Sequence, residues 1–262
     1  MAAAASIKLH GFPKADLNAP SDSYFCQKLE AYLRLASFPR EQYKLVDALP
    51  FRQPKGKLPA ITLSVAGQAD AYLVDSHFII AKLTREGVLK DVDAELGLAP
   101  LERADTRAWQ AWTEDLVYPA IVATRWLRPV NYAVSRDSMP VPSLLRPLVG
   151  WIFYRRISSS LVAQGIGRHS DQEIDTLLKE WVDALAARLA DGRTWFHASH
   201  ESPSAADAYI GSLLANTGAL DSNPEFNALC LSEPRIAAYA ARCTKLFFPE
   251  YEKLIASFDT AC

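Results

Sequence analysis

Lys55-Gly56-Lys57-Leu58-Pro59 runs straight into an apolar, β-branched segment that begins Ala60-Ile61. Proline removes a ladder donor, so an X-Pro step is poor material for entering a strand. The step makes sense if the Leu58-Pro59 bond is cis and forms a tight corner, as about 5–6% of X-Pro bonds do. Such a corner leaves the N–H and C=O of Leu58 unpaired, where an extended peptide can dock by strand addition. Val74-Asp75-Ser76 follows, and Asp75-Ser76 reads as a helix start with free N–H groups and a hydroxyl for a carboxylate. Backbone hooks beside an anion seat suit a small, charged peptide.

Length and composition leave room for such a site within an ordinary fold. A chain of 262 residues buries an ample core in one or two domains. Its formal net charge of −2 gives no reason to expect nucleic acid or an acidic membrane as partner. Cys26, Cys230, Cys243 and Cys262 show no C-x-x-C spacing, which argues against a disulfide framework or a zinc site. A reducing, cytoplasmic setting fits best. The alanine-rich start, residues 1–6, lacks the basic segment of a signal peptide. No apolar run approaches the roughly 20 residues that cross a bilayer, so a soluble protein without a membrane span is expected.

Periodicity divides the chain in two. Strands are predicted at residues 7–10, 42–46, 60–65 and 71–74. A helix with Phe25, Leu29, Tyr32, Leu33 and Ala36 on one face is stopped by Pro39. A second helix, residues 75–85, is ended by Gly87. The order β-α-β, then β-β-α, is that of a thioredoxin-like domain over residues 1–88. Residues 88–97 read as a linker. Strand signals then vanish, and residues 98–262 are expected to be all-helical. The spacing predicts one long helix over 101–127, kinked at Pro119. A loop is expected over 129–142 and helices over 143–164 and from Ser170 to about residue 190. Ser170-x-x-Glu173 and Ser204-Ala205-Ala206-Asp207 are capping boxes. The last clear helix is predicted from about 234 to 246.

An α/β domain followed by a helical one, the corner before residue 60, Asp75-Ser76 and the Ser204–Asp207 box together resemble the glutathione transferase superfamily. Four segments are similar to its failed-axon-connections and metaxin-like branch: the run from Phe25-Cys26-Gln27 to Arg34, Pro54-Lys55-Gly56-Lys57-Leu58-Pro59, Thr124-Arg125-Trp126-Leu127, and Gly165-Ile166-Gly167-Arg168-His169-Ser170. The resemblance spans essentially the whole chain. It implies glutathione as cofactor, held by the backbone of Leu58 at Pro59, with Lys55 and Lys57 either neutralising its glycyl carboxylate or forming an exposed, solvated pair. Asp75 would accept from the γ-glutamyl ammonium and Ser76 would hold that residue's carboxylate.

Glutathione's thiol is mostly protonated at neutral pH, its pKa being about 8.5 like that of free cysteine. A hydroxyl and the positive end of a helix favour its thiolate. Aligning Ser23-Tyr24-Phe25-Cys26 with the superfamily's Cys/Ser-Pro-Phe/Tyr-Cys/Ser pattern places Ser23 at the catalytic position, with Tyr24 standing where proline is usual. The plain alternative is that Ser23 is only an N-cap, or that Ser21 or Tyr24 acts in its place. A redox role for Cys26 is open too, against simple inward packing. Tyr24, Tyr118, Arg125 and Trp126 are the candidate wall for a small apolar electrophile, although aromatics at helical spacing also build cores. His197-x-x-His200 lacks a third ligand, so no metal site is expected.

The expected function is a glutathione transferase-like enzyme joining the thiolate to that electrophile. Two alternatives stand beside it. One is a glutathione-independent isomerase or cyclase of specialised metabolism on the same fold. The other is a non-catalytic metaxin-like interaction module. A homodimer is expected from the resemblance alone.

Overall fold

The structure, a computed structural model, describes residues 5–14, 16–139 and 141–261; residues 1–4 of the expected leaderless start, and Cys262, lie outside these. Four strands, β1 (Ala5–Gly11), β2 (Tyr43–Asp47), β3 (Ala60–Val65) and β4 (Ala71–Val74), form one sheet in the order β2-β1-β3-β4. β1 runs parallel to β2, with Ile7 opposite Tyr43, and antiparallel to β3. In β1 the period of two sends Ile7 and Leu9 inward and Ser6 and Lys8 to solvent. α1 (Tyr24–Leu35) links β1 to β2, and α2 (Ser76–Arg85) follows β4. The sheet and helices are those of the thioredoxin-like domain expected.

The segment over 88–97 is no open tether. Leu89 and Val92 are buried, and the four residues of α3 (Val92–Glu95) form a capped turn within it. Asp93 Oδ1 accepts from the N–H of Ala205 at 2.8 Å, stitching this turn to the start of a central helix, α9 (Ala205–Gly218). α1 packs on α9, so both regions share one continuous core.

The long helix expected over 101–127 is α4 (Pro100–Trp112) and α5 (Tyr118–Leu127), joined by a π-helical turn at Thr113–Val117. Pro119 has no N–H for the carbonyl of Asp115, four residues earlier. The turn shifts register, with the Tyr118 N–H donating to the Thr113 carbonyl, and Gln164 Nε2 donates to the Asp115 carbonyl at 2.8 Å. The irregularity thus sits before the proline, as a π-bulge.

Two expectations need correction. The loop predicted over 129–142 contains α6 (Pro129–Asp137), because Pro129 occupies the first helical position, where proline is favoured. Asn131 then donates to the Thr124 carbonyl and to Glu225, which anchors the helix. After α7 (Arg146–Gln164), α8 (Asp171–Arg188) and α9 comes α10 (Pro224–Leu231), again opened by a proline. The helix predicted from 234 is α11 (Pro234–Phe247), and α12 (Glu252–Thr260) follows it, setting Phe258 against Gly218 of α9. Among the described residues no helix is long and apolar enough to cross a membrane.

Candidate functional site

The Leu58-Pro59 peptide is cis. Pro59 and Asp75 meet across the corner, the Asp75 N–H donating to the Pro59 carbonyl at 3.4 Å. The amide and carbonyl of Leu58 have no hydrogen-bond partner among the described residues. Asp75 adopts φ 77°, in the left-handed region unusual for a residue with a Cβ. This turns its carboxylate back over the start of α2. There Oδ1 accepts from the His77 N–H at 3.2 Å, and Oδ2 accepts from Lys55 Nζ at 3.1 Å. An ammonium of the protein itself thus sits on the carboxylate. Ser76 is buried at the first position of α2, while Lys57 is exposed and forms no ion pair with a described residue.

Ser23 caps α1. Its Oγ accepts from the Cys26 N–H at 3.4 Å, and its own N–H donates to Ser21 Oγ at 3.2 Å. The Ser23 hydroxyl proton is not consumed by the capping bond. The residue itself is buried, 5% exposed. One turn on, burial pushes the Cys26 thiol up to about 11, despite Ser23 and Phe12 nearby. Such a thiol is almost wholly protonated at neutral pH and unsuited to redox chemistry.

Tyr24 is fully buried. Burial, with Glu114 adding to it, drives that phenol's pKa well up. The rings of Tyr24, Phe25 and Tyr118 cluster with centroids 5.0–5.4 Å apart and fill the angle between α1 and α5. Arg125, about two helical turns beyond Tyr118, is buried too. Burial lowers its pKa, offset in part by Tyr118 and Asp22. The Asn223 amide is satisfied with its oxygen toward this guanidinium, accepting from Nε at 3.1 Å and Nη2 at 2.8 Å. Trp126 faces elsewhere: it stacks on Phe153 of α7 and lies against Tyr132 of α6. The structure therefore groups Ser23, Tyr24, Tyr118 and Arg125, and separately Lys57, Leu58, Pro59, Asp75 and Ser76. Trp126 belongs to neither group.

One polar chain escaped the sequence reading. Lys28 of α1, 0% exposed, pairs with Glu114 of the π-turn at 2.6 Å. Gln110 Nε2 donates to the same Glu114 oxygen at 3.0 Å and lies 3.3 Å from His77 Nδ1, next to Asp75. Burial lowers the Lys28 pKa, with Glu114 opposing the shift. The signal was present, since Lys28 falls on the helix face that carries Phe25, Leu29 and Tyr32. A lysine there must find an anion. His197 is likewise used structurally, its Nε2 2.8 Å from Thr106 Oγ1. Cavities of about 440 and 240 Å³ lie outside this corner, the larger beside Arg34 and Phe247, the smaller beside Arg128 and Phe226.

Comparison with known proteins bears on family and fold. Residues 24–131 match the family model described as glutathione S-transferase N-terminal domain, a span that begins just after Ser23. Metaxin-1 of Sus scrofa is 27% identical over 253 aligned positions, covering 91% of this chain and 72% of that protein. Failed axon connections of Drosophila melanogaster is 26% identical, covering 97% of this chain and 60% of that protein. Among solved structures, glutathione transferase F7 from Populus trichocarpa superposes with a TM-score of 0.55 at 18% identity, over 96% of this chain and 98% of that one. A glutathione S-transferase from Methylobacterium radiotolerans, in complex with glutathione sulfonate, gives 0.56 at 16% identity, over 95% and 94%. These structural likenesses establish the fold, not the activity.

Proposed function

Because the chain belongs to the glutathione transferase superfamily, in the branch of metaxin-1 and failed axon connections, we propose that it binds glutathione at the Leu58–Asp75 corner and transfers its thiolate to a small apolar electrophile. The observation that carries this reading is the unpartnered N–H and C=O of Leu58 beside Asp75 and Ser76. The cysteinyl residue of glutathione would pair with Leu58 as an added strand. Its γ-glutamyl ammonium would displace Lys55 from Asp75, and Ser76 would hold the carboxylate. Lys57, free on the surface, would face the glycyl end.

At the sulfur, the Ser23 O–H would donate while its oxygen still caps α1. The positive end of α1 would add to that stabilisation. The thiol proton leaves to solvent, and the sulfur's electron pair forms a C–S bond as the electrophile's leaving group departs with its own pair. Tyr118 and Arg125 would form the second substrate's wall, with localisation in the cytoplasm and a two-fold dimer as the corresponding setting.

Titration calorimetry with glutathione, paired with a conjugation assay on chlorodinitrobenzene, tests the reading. Ser23→Gly keeps most of the cap, at a cost of a few tenths of a kcal/mol, but removes the donor. It should lower conjugation at least tenfold with binding retained, whereas Asp75→Ala should abolish binding. A second reading, a non-catalytic metaxin-like module, is favoured by the Lys55–Asp75 pair and by the rings of Tyr24, Phe25 and Tyr118 packed between α1 and α5. It predicts no heat with glutathione and no effect of Asp75→Ala.

A further inference from the structure

α7 lies outside the helical core: of its nineteen residues only Gly150 and Leu161 are buried. Its inner side rests on α5 and α6, through Phe153 on Trp126 and Tyr154 on Tyr132. The outer side, with the turn before it, is apolar. Leu144 is 89% exposed, Leu148 59%, Trp151 55% and Ile152 50%. The spacing 144, 148, 151, 152 places these four on one stripe. A contiguous stripe of large apolar side chains held in water marks an interaction surface.

The charges carried by the segment itself are of one sign. From residue 138 to 170 the chain contains Arg146, Arg155, Arg156 and Arg168 and no aspartate or glutamate. None of these arginines forms an ion pair with a described residue. Arg155 lies over the Trp151 ring, 5.5 Å from its centroid. Arg156 extends to the loop that carries exposed Lys57, its Nη2 being 3.9 Å from where a Cβ on Gly56 would stand. Cations therefore flank the stripe at its far end and continue onto the first domain.

We propose that this outer face of α7 docks on the surface of an anionic phospholipid bilayer. A helix with tryptophan and leucine on one side and arginine at its borders fits the interfacial zone, its rings at headgroup depth and its guanidinium groups on phosphates. A second copy fits worse: the same stripe on a partner offers no carboxylate to Arg155 and Arg156, since residues 138–170 contain none. The stripe is also convex, a row of protruding side chains on one helix. A fluid surface accommodates that shape without a matching groove. The inference is independent of glutathione binding.

Co-sedimentation of the full chain with vesicles tests it. The expected result is retention on vesicles of phosphatidylcholine with about 30% phosphatidylserine, little on pure phosphatidylcholine, and loss as salt is raised. Leu148→Ser/Trp151→Ser should lower partitioning at least tenfold, and Arg155→Gln/Arg156→Gln by about tenfold or more at low salt. All four positions are exposed, so unchanged circular dichroism and Tm should accompany both variants. Equal binding to the two vesicle types, or full binding by the folded variants, would overturn the proposal. So would light scattering that shows a dimer dissociated by Trp151→Ser, which would make the stripe a protein interface.

Discussion

α9 and α7 are two helices of the same domain with opposite fates. Every residue of α9 from Ala205 to Thr217 is buried, whereas nearly all of α7 is open to solvent on at least one side. Both are rich in apolar residues, so composition does not separate them. What separates them is who packs around each. α9 receives α1 from the first domain, α4 and α10 within its own, and α11 through Gly211, which allows Cys243 to approach. The carboxylate at its start is satisfied internally as well. Asp207 accepts from the Ser204 N–H at 2.7 Å, the Phe196 N–H at 2.8 Å and the Tyr239 hydroxyl at 2.8 Å. α7 has neighbours on one side only. A helix buried on all sides carries stability, and one with an unpartnered apolar side carries interaction.

Substitutions should separate these roles by size. Asp207→Ala leaves several buried donors without an acceptor, each costing roughly 1–3 kcal/mol, so a loss of about 4 kcal/mol is expected in urea unfolding. A loss under 1 kcal/mol would mean that α9 is not the central pillar. Lys28→Ala, on the α1 side of the same core, removes a buried cation and its packed stem, and should cost about 3 kcal/mol. Replacing the pair together, Lys28→Met with Glu114→Gln, should cost far less, and a double-mutant cycle measures the difference.

Gly211→Ala comes next. Its Cβ would stand 2.5 Å from Cys243 Cβ, so α9 and α11 must part, at about 1–3 kcal/mol. Smaller still is the surface cluster of Arg34 with Glu250. Burial would raise the Glu250 carboxyl, but Arg34 outweighs it and holds the pKa below the ordinary 4.5. A depressed carboxyl contributes stability above 4.5 and loses it as pH falls through the folded value. Glu250→Gln should therefore cost about 1 kcal/mol at pH 7 and nothing near pH 2, read from thermal melts at both. Trp151→Ser on α7 should stay within about 0.5 kcal/mol of the parent, and a larger loss would show that the stripe is packed after all.

Much of the fold is legible because local chemistry and tertiary structure agree there. The cis corner at Leu58-Pro59, the strands from Ala60 and Ala71, and the Ser204–Asp207 box all follow from residue type and spacing. Misreadings gather where proline has two meanings. Pro129 reads with a loop, yet it opens a helix, and Pro119 reads as a kink although the relief falls in the π-turn before it. At the candidate site, the backbone of Leu58 and the turn at Asp75 were readable. The ammonium of Lys55 on that carboxylate was not, since the pair is twenty residues apart and no periodicity joins them. Nor did spacing reveal that Trp126 turns toward α7 while its neighbour Arg125 turns toward Asn223.

The amino-acid order alone determined the succession of strands and helices in the first domain, its proline corner and the capped start of α9, because each depends on interactions within a few residues. Only the folded arrangement decided which apolar helix would be enclosed and which left bare, and which lysine would meet a carboxylate. Those outcomes depend on which surfaces distant segments bring together, and no short-range preference encodes that.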